Sequence, residues 1–223
     1  MLASGVAFAA ALAMGSACCS AGRASPPDRV DPSGPSAPKD AARAAEVEAR
    51  VRALLSGYEL VPKAEDWDKV GSAEEVSAAL MAIAEKPEGQ TVTAARALAS
   101  LGRYPRPEVA TFLEARVVDE RLPVGLRGKA ALALAVAFAD AKADVVATLF
   151  ASPDEALRED GVRAFRKLGS GAAERFLEAR MKVEPSPRLK DAMVDAARAI
   201  GATRARGGVP ERGPVKDPGP IRR

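Results

Sequence analysis

An all-α stack of helix pairs is the fold class this sequence predicts, and three observations predict it. The first is an internal repeat. Ser152-Pro153-Asp154-Glu155-Ala156-Leu157-Arg158 leads into a stretch ending Phe165-Arg166-Lys167-Leu168-Gly169. Pro185-Ser186-Pro187-Arg188-Leu189-Lys190 leads into one ending Ala197-Arg198-Ala199-Ile200-Gly201. A period of about 32 residues marks a stacked helical repeat, whose units cannot bury their apolar stripes alone. The second is composition. Hydrophobic residues make up 48 % of the chain and aromatics only 4 %, and an alanine-dominated apolar set suits closely spaced helices. The third is punctuation. Pro87, Pro107, Pro123, Pro153, Pro185 and Pro187 stand at the joints, and Gly102, Gly169 and Gly201 are placed to close second helices.

Ahead of the helices lies an export signal. Residues 1–22 carry no charged side chain, and Val6 to Met14 form an apolar core of signal-peptide length. A membrane-spanning helix wants about 20 strongly apolar residues; here Ser4, Gly5, Gly15 and Ser16 interrupt the run. Gly15-Ser16-Ala17-Cys18 resembles a bacterial lipobox, although Gly15 stands where that signal usually has Leu. The resemblance implies a signal peptide over 1–17 and diacylation of Cys18. Residues 18–38, rich in Pro, Ser and Gly, read as a disordered spacer beyond the lipid.

The helical pattern spans 39–202. Lys39 to Ser56 places Val47, Val51, Leu54 and Leu55 at helical spacing before Gly57, and reads as a capping helix. Glu65 to Val70, with the only Trp, Trp67, reads as a short turn of helix that lids the open end. Four pairs follow: Ala73 to Glu85 with Thr91 to Leu101, Pro107 to Val118 with Val124 to Ala139, Ala143 to Ala151 with Asp154 to Leu168, and Ala172 to Val183 with Pro187 to Ile200. Second helices align on Leu126, Leu157 and Leu189. Ala130, Gly161 and Met193 fall next, then Leu134, Phe165 and Ala197, then Ala137, Leu168 and Ile200. Steps of four, four and three place one apolar stripe on one face. First helices repeat as well, since Phe112-Leu113-Glu114-Ala115-Arg116 returns as Phe176-Leu177-Glu178-Ala179-Arg180.

These residues resemble the short bacterial HEAT repeat, of the kind also found in phycobilisome-lyase-like proteins. The likeness rests on Pro153 to Arg158 followed by Ala164 to Gly169 and covers about residues 72–202. It implies a right-handed α-α superhelix, a HEAT-like solenoid of about four helix pairs plus an N-terminal capping helix, with the second helices as its concave layer.

The same sequence excludes much chemistry. Histidine is absent, which removes the commonest general base and metal ligand. The two cysteines, Cys18 and Cys19, are adjacent and cannot staple the fold. No glycine-rich phosphate loop and no Gly-x-Ser-x-Gly motif occurs. No catalytic residue, metal, cofactor or small-molecule substrate is expected. The formal charge is +3, but the tail 203–223 holds about +4 of it, leaving the body near about −1. That placement, with export, argues against nucleic acid as partner. The tail itself, rich in Gly, Pro and Arg, reads as disordered.

What remains is contact with a protein or peptide. Opposite the buried stripe, one column of the second helices holds Arg96, Leu132, Arg163 and Asp195; its neighbour holds Ala99, Ala135, Arg166 and Arg198. As a concave face, this presents an apolar middle at Leu132 and Ala135 flanked by arginines. The competing reading buries the central helix on more than one side. Arg127, Arg158 and Lys190 recur just after the stripe leucine, as an anion ladder or as hydrogen-bond donors between repeats. The leading expectation is an exported scaffold, tethered to an envelope membrane by Cys18. The alternatives are a lyase-like enzyme or enzyme subunit and, behind it, a nucleic-acid-binding repeat protein.

Overall fold

The computed structural model describes residues 37–57, 62–86 and 91–207. The chain divides into two compact units, Met1–Pro35 and Ser36–Arg223, and every described residue lies in the second. The expected signal peptide, Cys18, nearly all of the spacer and the tail beyond Gly207 fall outside the described residues.

Among the described residues all regular structure is helical. The elements are α1 (Ala37–Ser56), α2 (Ala64–Asp68), α3 (Ala73–Glu85), α4 (Thr91–Leu101), α5 (Pro107–Val118), α6 (Val124–Phe138), α7 (Ala143–Ala147), α8 (Glu155–Leu168), α9 (Gly171–Met181) and α10 (Pro187–Ala205). Short 3₁₀ turns at Ala139–Lys142 and Thr148–Ala151 flank α7.

Caps decide where most helices begin. Ser72 Oγ accepts the Glu75 N–H at 3.2 Å while the Glu75 carboxylate accepts the Ser72 N–H at 2.8 Å. This reciprocal box satisfies two orphan donors of α3. Asp154 accepts from Ala156 and Leu157 at α8. Ser170 accepts from Ala173 at α9, and Ser186 from Leu189 at α10. Pro107 and Pro187 sit at the first turns of α5 and α10, where a missing N–H costs nothing. Gly169 ends α8 in the left-handed region, at φ 69°.

Helices pack as pairs, α3 with α4, α5 with α6, α7 with α8 and α9 with α10. The second helices also pack on one another, α4 on α6, α6 on α8 and α8 on α10, while α3 touches α5 and α5 touches α7. Helix α1 lies on α3 and α4, burying Val47, Val51 and Leu55. One apolar core runs without a break from Val47 to Ile200 and includes Trp67. The aligned leucines Leu126, Leu157 and Leu189 are all buried in their second helices. Full burial of such a side chain is worth about 1.5–3 kcal/mol. Phe150, Phe165 and Phe176 meet where α8 joins α9, with centroids 4.5 to 5.4 Å apart.

Three expectations need correction. The single helix expected over Ala143 to Ala151 is a five-residue α-helix that tightens to 3₁₀. The Thr148 hydroxyl donates to Val145 O at 2.6 Å, and the tighter coil buries the consecutive Leu149 and Phe150. Gly201 does not close the last helix. α10 continues to Ala205, since Arg204 reaches back to Glu174 at 2.7 Å and anchors the added turn. α6 stops at Phe138, one residue early, because Ala139 takes φ 46°.

Candidate functional site

The recurring motifs join one helix pair to the next. Arg116 Nη2 reaches Glu85 at 3.4 Å, and Arg180 Nη2 reaches Phe150 O at 2.6 Å. Both arginines close copies of the same five-residue motif and both reach back to the preceding first-helix layer. Arg43 meets Glu75 at 2.9 Å, Lys142 meets Glu114, and Ser170 donates to Asp140 at 2.8 Å. Arg188 holds Glu155 and Glu159 at 2.9 and 2.7 Å. Each tie spans roughly one repeat.

The deepest tie is Arg158 with Glu184, 4 % and 1 % exposed. Arg158 Nη2 donates to Glu184 Oε1 at 2.9 Å and Nε donates to Oε2 at 3.1 Å. Arg158 Nη1 donates to Ser152 O and Pro153 O, and the Ser186 N–H donates to Glu184 Oε1 at 3.1 Å. A buried carboxylate is tolerable only when satisfied in this way. Arg127 donates from Nε to Val117 O at 3.0 Å. Two of the three ladder residues therefore bond between helices, to carbonyls and a carboxylate.

The predicted partner face comes apart in part. Arg96 Nη1 donates to Leu55 O at 2.6 Å and Gly57 O at 2.9 Å, satisfying carbonyls at the end of α1. Ala135 is 1 % exposed, and Leu132 is partly buried against the core. The expected open apolar middle needs correction at Ala135, which packs into the core where α6 meets α4, α5 and α8; Leu132 is only half-buried, so α6 is apolar on its packed faces and keeps one side toward solvent. Arg163, Arg166, Asp195 and Arg198 remain exposed on the packed helices α8 and α10. Arg163 pairs with Glu159 and Asp160, and Arg198 with Asp195, all on their own helices. Arg166 makes no ion pair among the described residues. Beside Arg198, Leu177, Met181, Met193 and Val194 line a hollow of about 280 Å³ between α9 and α10. The sequence reading missed this hollow, and also Val136, which stands 54 % exposed on α6.

Charges follow the packing. Burial raises the Asp160 carboxyl above its usual range, with Arg163 and Lys129 opposing. Its cause is close contact of α6 with α8: a Cβ on Gly128 would fall 1.9 Å from Asp160 Oδ2. Hydrogen bonds from Arg188 and Ser186 lower Glu155. The Arg43 hydrogen bond, with the Ser72 capping contacts, brings Glu75 down to about 2.

No cluster of metal-ligating side chains occurs among the described residues, and no described helix is long and apolar enough to cross a membrane. No protein-family model matches this chain, nor does any curated protein sequence or solved structure. The likeness to the short HEAT repeat therefore stands on the residues quoted for it.

Proposed function

We propose that the helix pairs wind into a right-handed α-α superhelix of HEAT type. In this reading the chain is an exported scaffold, held at the periplasmic side of a bacterial envelope membrane through a lipidated Cys18, that binds another protein. One observation carries it: second helices stack on one another, α4 through α10, and the last two keep Arg163, Arg166 and Arg198 exposed. An array of this kind offers a long continuous surface for contact. The Met-lined hollow beside Arg198 adds an adaptable apolar foothold.

Two measurements test the reading. Fatty-acid labelling of cells should mark the wild-type chain and not Cys18→Ser; an unlabelled wild type refutes the anchor. A photo-crosslinker at position 166 should give one discrete adduct in intact cells. That adduct should fade in Arg163→Glu/Arg198→Glu and persist in Lys182→Glu. Equal yield in all three removes the arginine-bearing helices from the interface.

A further inference from the structure

The repeat places Arg127 and Arg158 at the same step of successive second helices, one residue after the aligned leucines Leu126 and Leu157. It likewise places Ser152 where the next turn has Glu184, because Asp154 and Ser186 are both N-caps and Pro153 and Pro185 both precede them. The hydrogen bonds agree with this register. The Asp154 N–H donates to Ser152 Oγ at 3.1 Å, as the Ser186 N–H donates to Glu184 Oε1 at 3.1 Å.

The two joints then differ in one respect. Glu184 carries a carboxylate to the guanidinium of Arg158. Ser152 ends two atoms earlier in its side chain and carries none. What stands beside Arg127 instead is a cleft of about 560 Å³, lined among others by Val118, Val124, Thr148, Ser152 and Asp154. Arg127 is fixed along one edge by its Nε bond to Val117 O. Its Nη1 and Nη2 make no hydrogen bond or ion pair among the described residues.

Two further features suit an anion with an aliphatic stem. Val124 opens α6 and lines the cleft, and the N-cap, Pro123, offers no side-chain acceptor for the first N–H groups, so the positive end of the helix borders the cleft. Val118 is 54 % exposed and offers an apolar wall. Two acids also line the cleft. Asp154 is engaged with the N–H groups of α8, and Glu120 is exposed.

We propose that this cleft is a carboxylate-binding site, in which Arg127 pairs with an incoming carboxylate through Nη1 and Nη2, the edge its Nε bond to Val117 O leaves open, whereas Arg158 holds Glu184 through Nε and Nη2. Guanidinium and carboxylate match as paired donors and acceptors. The carboxylate belongs either to a glutamate side chain of a bound polypeptide or to a free dicarboxylic acid. The site stands whether or not the chain is tethered to a membrane or uses the exposed arginines of α8 and α10.

The test is a titration of the ¹⁵N-labelled full chain, reading the amide signals of Val118, Thr148 and Ser152. The probes are acetyl-Val-Glu-Pro-amide, its Val-Gln-Pro counterpart and glutarate. Saturable shifts with the glutamyl peptide and none with the glutaminyl peptide are expected. Glutarate binding as tightly as the peptide would assign the site to free acids; much weaker binding would assign it to polypeptide. Arg127→Gln should weaken binding at least about tenfold, the loss of a charge-assisted pair. Ser152→Glu should supply its own carboxylate, abolish binding and melt no lower than wild type. Absent saturation at these three residues, or unchanged affinity in either variant, overturns the proposal.

Discussion

Two joints of this molecule share one plan and end differently. Where α8 meets the turn before α10, Arg158 and Glu184 are buried together and four backbone or carboxylate acceptors engage the guanidinium. Where α6 meets the turn before α8, Arg127 holds one carbonyl and a cleft stands open. A repeat position thus specifies geometry and not occupancy. The next turn offers Glu184 at the first joint and Ser152 at the second; the first arginine is consumed inside the fold, while Nη1 and Nη2 of the second stay unbonded among the described residues.

Breaking the closed joint should have the largest effect. Glu184→Ala leaves Arg158 buried without a counter-charge, at a cost of about 3–5 kcal/mol. Arg127→Ala removes one hydrogen bond from a half-open site and should cost about 1 kcal/mol. Urea unfolding of both variants checks the ratio. Equal losses would mean that the fold depends on Arg127 no less than on Arg158.

The open joint has its own tight spot, where α6 crosses α8. Gly128 lies against Asp160, and an added Cβ would overlap its carboxylate. Gly128→Ala should cost about 1–3 kcal/mol, as overpacking does. Asp160→Ala in the same chain should return much of that loss. A double-mutant cycle measures the coupling, and additive losses would place the strain elsewhere.

The helices entering the two joints also end differently. The residue after α8 is Gly169 at φ 69°, while the residue after α6 is Ala139 at φ 46° and ψ −138°. An L side chain there costs about 1–3 kcal/mol. Ala139→Gly should therefore raise stability by about 1 kcal/mol, after the greater unfolded-state freedom of glycine is subtracted. A Gly169→Ala change should go the other way. Thermal melts of the pair test it, and a lower melting point for Ala139→Gly would contradict the argument.

The sequence shows what is local and periodic. Pro153-Asp154 and Pro185-Ser186 mark helix starts because caps and prolines act within one turn. The buried stripe from Leu157 through Phe165 to Leu168 is visible because Arg163, Arg166 and Lys167 contrast with it. On α6 the contrast is missing. Between Lys129 and Asp140 no polar residue marks a solvent side, so the burial of Ala135 could not be told from an open apolar face. Arg96 departs from the expected face for a different reason: its partners are carbonyls about 40 positions earlier, and no side-chain pattern records a carbonyl. The five-residue α7 and its 3₁₀ continuation follow from a threonine hydroxyl and two adjacent buried side chains, which periodicity averages away. The cleft at Arg127 lies where Ser152 takes the place of Glu184, and no local pattern marks that pair, because its meaning rests on the burial of the Glu184 carboxylate.

The smallest expected effect separates the joints by pH, through two carboxylates of the same helix. Asp160, facing α6, has its carboxyl raised by burial. The folded state then binds its proton more tightly than the unfolded state does. The stabilisation this brings is complete below the unfolded value of about 3.9 and is lost as pH rises through the folded value. Glu155, facing α10, is lowered by the Arg188 hydrogen bond. Its contribution is present above the ordinary carboxyl value of about 4.3 and is lost as pH falls below it. Acidification should thus strengthen the contact of α8 with α6 while weakening its contact with α10. Asp160→Asn should gain on wild type as pH rises from about 3 to 7, and Glu155→Gln should lose ground over the same span. Denaturation curves at several pH values show the two slopes. If both variants track wild type in parallel, neither carboxylate senses its joint, and the contrast between the joints rests on Arg127 and Arg158 alone.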